Sequence, residues 1–175
     1  RVSIDRYWSF VSLCLGWLSQ IRSNSMWRVN AMQLAQLATT PEEKGKKTER
    51  PVVLVIDDQA AILEMLSCAL TLHGYRPICT ANGLEALVWI KHALQTGQYP
   101  AAILLDLFMP VMNGTGFLAT LRTQWNAPVS IPPIILLTVD KNDYGYLGCD
   151  DVLIKPFHIR DLYERLRLVV SLGPF

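Results

Sequence analysis

Three aspartates, a threonine and a lysine stand at the ends of short apolar runs, and together they make a set that could bind phosphate. Val52-Val53-Leu54-Val55-Ile56 ends on Asp57-Asp58, and Ala101-Ala102-Ile103-Leu104-Leu105 ends on Asp106. Ile134-Ile135-Leu136-Leu137 ends on Thr138, and Val152-Leu153-Ile154 on Lys155. Carboxylates held within a few ångströms repel one another unless something positive lies between them. A divalent cation answers that need. With oxygen ligands and no histidine or cysteine in the set, the hard ion Mg²⁺ suits it better than zinc. Thr138 and Lys155 add a hydroxyl and an ammonium, the donors that phosphoryl oxygens require beside a metal. The set is read as a site that holds phosphate on, or next to, Asp106.

For these residues to meet, the apolar runs must lie side by side with their ends level. Short β-rich runs separated by helix-like stretches read as buried parallel strands, and an open sheet of that kind binds ligands at the carboxyl ends of its strands. The intervening pattern agrees. Ile62, Leu63, Leu66, Ala69 and Leu70 recur at helical steps and stop near His73-Gly74, and Arg76 to Thr80 reads as a further short strand. Leu84, Leu87, Val88 and Leu94 mark a second helix closed by Gly97 and Pro100. Gly114 to Arg122 reads as a third helix, with Gly114 supplying a turn at its start. Ile159, Leu162, Leu166 and Val169 stripe a last helix. His73, His92 and His158 fall outside the cluster and read as surface or helix-end residues, and Met109, Met112 and Phe117 as packing.

The order Asp57-Asp58, Asp106-Leu107-Phe108-Met109-Pro110-Val111-Met112-Asn113-Gly114, Thr138 and Lys155-Pro156-Phe157 resembles the receiver domain of two-component response regulators. Five separated motifs in the right order make the match specific, and it covers residues 51 to 172. The resemblance implies a doubly wound α/β fold of flavodoxin-like type, with five parallel strands flanked by helices. It implies that Asp106 accepts a phosphoryl group from a histidine kinase or phosphotransfer protein and that the phosphorylated form changes its binding to a downstream protein. It also implies that Asp58, Asp106 and the Phe108 carbonyl ligate Mg²⁺, that Asp57 acts through water, and that Thr138 and Lys155 contact the phosphoryl oxygens.

Three departures from the family pattern carry expectations of their own. Between Thr138 and Lys155 the chain is about one and a half helical turns shorter than in most receivers, so the fourth helix is expected to be stunted or replaced by a loop. Asp140-Lys141-Asn142-Asp143-Tyr144-Gly145 is turn material, in keeping with that. The family's aromatic switch residue on the fifth strand aligns with Val152, and Val139 follows the threonine where a small residue is usual. Two other functions fit parts of the pattern. A degenerate receiver used only for protein docking would tolerate the shortened connection, although Asp106, Thr138 and Lys155 are intact. A phosphatase of the haloacid dehalogenase type also uses a strand-end aspartate, but it needs a second one two residues on, where this chain has Phe108.

Composition bounds the remaining classes. At 175 residues the chain allows one ordinary domain and an extension, here divided at residue 50. Its net charge of +1 is uneven, with 8 basic against 4 acidic residues in 1–50 and 8 against 11 in 51–175. The second part has no basic stripe of the kind that binds nucleic acid. Cys14, Cys68, Cys79 and Cys149 form no C-x-x-C pair and read as reduced thiols of a cytoplasmic protein. Tyr7 to Ile21 is uncharged and apolar, but a membrane span takes roughly 17 to 25 such residues, so none is expected. Val29-Asn30-Ala31 has the small residues of a signal-cleavage site but lies far from that stretch, so export is the disfavoured alternative. Trp27, Ala31, Leu34 and Ala38 fall at helical spacing, 39–50 reads as a solvated linker, and Met26 and Met32 are candidate starts.

Overall fold

The computed structural model describes residues 50–126, 130–139 and 147–172. The expected N-terminal helix and linker lie outside the described residues, as do residues 140–146 of the connection where a stunted fourth helix or a loop is expected. Five strands form the sheet: β1 (Val52–Ile56), β2 (Arg76–Thr80), β3 (Ala102–Asp106), β4 (Ile134–Thr138) and β5 (Asp151–Ile154). Four helices are described: α1 (Ala60–Leu72), α2 (Gly83–Thr96), α3 (Gly114–Gln124) and α4 (Ile159–Leu172). All neighbouring strands pair in parallel, in the order β2-β1-β3-β4-β5.

The strand order explains the composition of the runs. β1, β3 and β4 occupy the centre, and every residue in them is buried. A strand covered on both faces cannot alternate polar with apolar, which is why these three read as unbroken Val, Ile, Leu and Ala runs. β2 and β5 lie at the edges and are only partly buried. Phe117, Leu118 and Leu121 of α3 pack with Leu54, Ile56, Ile103, Leu105 and Leu136 of the sheet in one core. A fully buried side chain of this size is worth about 1.5–3 kcal/mol relative to an exposed one, so this core carries the scaffold of the site.

The helix ends are set by local chemistry. Asn82 precedes α2 and accepts a bond from the Glu85 amide at 3.0 Å, while the Glu85 carboxylate accepts from the Ala81 amide at 3.0 Å. The first bond satisfies a donor that a helix start leaves without a partner, and the second ties the residue before the cap to the same turn. Asn113 does the same for α3, accepting from the Gly116 amide at 2.9 Å. Gly97 closes α2 in the left-handed region at φ 71°.

The helix marked by Leu84, Leu87, Val88 and Leu94 is present as α2, but those residues do not make its buried face. Gly83, Ala86, Ile90 and Ala93 are buried, whereas Leu84 and Val88 are exposed and Leu87 and Leu94 only partly covered. Small residues let the helix approach closely: a Cβ on Gly83 would lie 2.9 Å from Met112 Cγ and from Phe117 Cβ. Elsewhere the expected stripes face inward, with Ile62, Leu66, Ala69 and Leu70 buried in α1 and Leu162, Leu166 and Val169 in α4. Among the described residues no helix is long and apolar enough to cross a membrane.

Candidate phosphoryl site

Strand register brings the predicted residues to one edge. Ile56 pairs with Leu105, so Asp57 and Asp106 are the next residues of adjacent strands. Asp106 pairs with Leu137, which places Thr138 one step further on β4, and Thr138 pairs with Ile154, which places Lys155 just past the end of β5. Parallel strands turn their carboxyl ends the same way, so four separate runs deliver their terminal residues to one place.

Lys155 is the centre of that place. Its Nζ lies 2.6 Å from Asp57 Oδ2 and 3.1 Å from Asp106 Oδ2, and all three side chains are buried. The ammonium therefore neutralises two carboxylates that would otherwise repel in a poorly solvated pocket. The backbone amide of Lys155 donates to the Thr138 carbonyl at 2.6 Å, which ties the end of β5 to the end of β4. Asp57 Oδ1 accepts from the Gln59 amide at 2.9 Å, and Asp106 Oδ1 from the Phe108 amide at 3.3 Å. Burial pushes the Asp57 carboxyl above its ordinary value, opposed by the Lys155 bond and charge.

Asp58 differs from its neighbour in being exposed. A carboxylate oxygen of Asp57, one of Asp58 and one of Asp106 all lie within 4.8 Å of one another. Ligands at about 2.0–2.1 Å put opposite oxygens of a Mg²⁺ shell about 4.2 Å apart, so the cluster is close to the size such an ion requires. The all-oxygen donor set fits a hard cation.

Thr138 is fully buried, while the next residue, Val139, is 69% exposed. Phe108, two residues beyond Asp106, is 62% exposed, and Val111 on the same loop sits in the left-handed region at φ 67°. Gly114, expected to supply a turn, does not have a positive φ. Its role is space, since a Cβ there would lie 2.6 Å from the Asp106 carbonyl oxygen and 2.9 Å from Leu107 Cα. Only glycine lets the start of α3 come this close to the end of β3.

Residues 53–167 match the family described as the response regulator receiver domain. The chain belongs to that family. A receiver is thus the scaffold on which the aspartates and lysine converge, and receivers act in two-component signalling as phosphoryl acceptors rather than as conventional enzymes. They hold Mg²⁺ at an acidic pocket and interact with histidine kinases or phosphotransfer proteins. The receiver is 30% identical to the chemotaxis protein CheY4 of Vibrio cholerae, with a TM-score of 0.60 over 69% of this chain and 98% of that one. It is 27% identical to the receiver domain of the sensor histidine kinase PA1611 of Pseudomonas aeruginosa, whose structure holds a magnesium ion in the active-site cleft. That alignment has a TM-score of 0.59 and covers 70% of this chain and 98% of the other. Among curated relatives, the DNA-binding response regulator MtrA of Mycobacterium bovis is 32% identical over 120 residues, 69% of this chain and 50% of MtrA. The chain spans about half the length of the curated relatives it matches.

Proposed function

We propose that residues 51–172 form a phosphoacceptor domain, with residues 1–50 as an appended extension, and that Asp106 takes a phosphoryl group from a phosphohistidine. The observation that carries this reading is Lys155 held between buried Asp57 and Asp106, with Asp58 open at the mouth. In the transfer an Asp106 carboxylate oxygen forms a bond to phosphorus in line with the breaking P–N bond. The departing imidazole keeps the electron pair of that bond. Asp57, Asp58, Asp106 and the Phe108 carbonyl would hold Mg²⁺, Asp57 through water, and the ion supplies positive charge against the phosphoryl oxygens when bound. Lys155 can exchange its carboxylate partners for a phosphoryl oxygen, and Thr138 can donate its hydroxyl to another. Positioning and charge, rather than acid–base help, carry the step.

A small phosphodonor such as acetyl phosphate should therefore add one phosphoryl group in the presence of Mg²⁺. The adduct should be labile to alkali, as a mixed anhydride is, and absent from Asp106→Asn. Intact-mass spectra with no adduct from several donors, or an adduct that persists in Asp106→Asn, would count against the assignment.

Mg²⁺ alone should also bind. Titration followed by amide NMR should shift Asp57, Asp58, Asp106 and Phe108 together. The same shifts in the double variant Asp58→Ala/Asp106→Ala would remove these carboxylates from the metal site.

Val139 and Phe108 predict a slow loss of the phosphoryl group. Hydrolysis needs water in line with the phosphorus, opposite the Asp106 oxygen. Val139 directly follows Thr138, and its two γ-methyl groups are stiff at χ1. Both apolar side chains are exposed at this rim and available to exclude water from an occupied site. The acyl phosphate should outlive that of Val139→Ala, by up to about a hundredfold where water placement is critical. Decay followed at equal Mg²⁺ checks this, and equal lifetimes would show that Val139 does not shield the site.

A further inference from the structure

The 12 residues 139–150 join β4 to β5, at the short limit for a connection that must return the chain to start a parallel neighbour. The end of this connection is held from outside itself. Arg122, near the end of α3, donates through Nη2 to the carbonyls of Leu147 and Gly148, the latter at 3.0 Å. Gly148 has φ +58°, and a Cβ there would lie 3.2 Å from Arg122 Nη2. Glycine thus provides both the backbone conformation and the room for the guanidinium. Immediately afterwards Asp150 exchanges two bonds with the start of β4, its carboxylate accepting from the Ile134 amide at 2.7 Å and its amide donating to the Ile134 carbonyl at 2.9 Å. Asp151 then pairs with Arg165 of α4.

The strand that follows starts from this anchored turn. β5 is an edge strand of 4 residues, bonded to the sheet only through β4. Yet it leads directly into Lys155, whose ammonium reaches both Asp57 and Asp106. Any slip at the start of β5 is passed along a short extended segment to that ammonium. We propose that Arg122 is a positioning residue for Lys155: by gripping the Leu147 and Gly148 carbonyls near the end of the connection it sets where β5 begins, without touching a reacting group. Its consequence for phosphorylation rests on the phosphoacceptor reading, whereas its consequence for β5 does not.

Two measurements on the full chain test this. In Arg122→Met, hydrogen exchange at the Lys155 amide should rise about tenfold or more, while amides of β1 and β3 keep their protection. The initial rate of phosphorylation by acetyl phosphate should fall about tenfold, within the range that a shift of under 1 Å produces. Mg²⁺ affinity should not fall, because Asp57 and Asp58 directly follow β1, Asp106 ends β3, and a loosened Lys155 competes less for their carboxylates. Arg122→Lys, which keeps a cationic donor, should recover most of both effects. Gly148→Ala, which presses on the guanidinium, should reproduce them with Arg122 present. Unchanged exchange at Lys155 in Arg122→Met would overturn the proposal. So would faster exchange across all strands together with weakened Mg²⁺ binding, since that is a general loss of stability. A wild-type protein that takes no phosphoryl group overturns the phosphoacceptor reading, and the exchange measurement still decides the role of Arg122.

Discussion

Lys155→Met should destabilise the domain by about 3–5 kcal/mol at neutral pH, the usual cost of removing one partner from a buried ion pair. Total stabilities of small domains lie near 5–15 kcal/mol, so this is a large share. Methionine matches the length of the lysine stem but brings no charge. Asp57, fully buried, and Asp106, nearly so, would then face each other without the ammonium that lies 2.6 and 3.1 Å from them. Burial already raises the Asp57 carboxyl above its ordinary value, and the Lys155 bond and charge are the largest opposing influences. Their loss should raise it further. A carboxyl whose folded value is raised favours the folded protein at low pH and loses that contribution as pH rises through the folded value. The variant should therefore approach wild-type stability in acid and fall away toward neutrality. Urea unfolding at a series of pH values checks this. A deficit of the same size at every pH would mean that lost packing, not uncompensated charge, is responsible. Added Mg²⁺ should narrow the neutral-pH deficit, because it supplies positive charge to the same carboxylates.

The convergence of these groups was legible because a buried parallel strand leaves a strong mark. Val52 to Ile56, 102–105 and 134–137 contain no polar residue, so the first polar residue after each run marks the carboxyl end of the strand. Which side chains then touch was not legible. The resemblance gave Lys155 to the phosphoryl oxygens, while the structure shows it bound to Asp57 and Asp106, a contact across residue separations of 98 and 49. Nothing in local sequence encodes such a pairing.

The face that α2 buries was not legible for a different reason. Leucine and valine dominate a reading of periodicity, but Gly83, Ala86 and Ala93 bury the helix by letting it come close, a contribution that scales with shape rather than hydrophobicity. The Asn82 and Glu85 cap, by contrast, was available as a local pattern of a capping residue followed three positions later by glutamate. Arg122 gave no sequence signal, because its partners are backbone carbonyls 25 and 26 residues away.

Gly114 offers the sharpest test of how the backbone serves the site. Gly114→Ala should cost about 3 kcal/mol or more, at or above the upper end for overpacking, because the added Cβ meets backbone instead of a movable side-chain end. The atoms it would strike, the Asp106 carbonyl oxygen at 2.6 Å and Leu107 Cα at 2.9 Å, belong to the strand end that presents Asp106. Neither can rotate away. Relief requires α3 to retreat from β3 or the Asp106 peptide to shift, and the Gly114 amide bond to the Leu107 carbonyl, now 3.0 Å, would be strained in either case. A displacement of about 1 Å at Asp106, the proposed phosphoacceptor, can lower its reactivity on the order of a hundredfold, so phosphorylation should fall along with stability. Gly116, two residues along the same helix, is the control. A Cβ there would meet only side-chain atoms, Asn113 Oδ1 at 3.2 Å and Met112 Cγ at 3.7 Å. Alanine is favoured over glycine in a helix by about 1 kcal/mol, which offsets that small crowding. Gly116→Ala should therefore be near neutral in urea unfolding and in phosphorylation rate. If the two variants behave alike, close approach of α3 to Asp106 is not what the glycine provides.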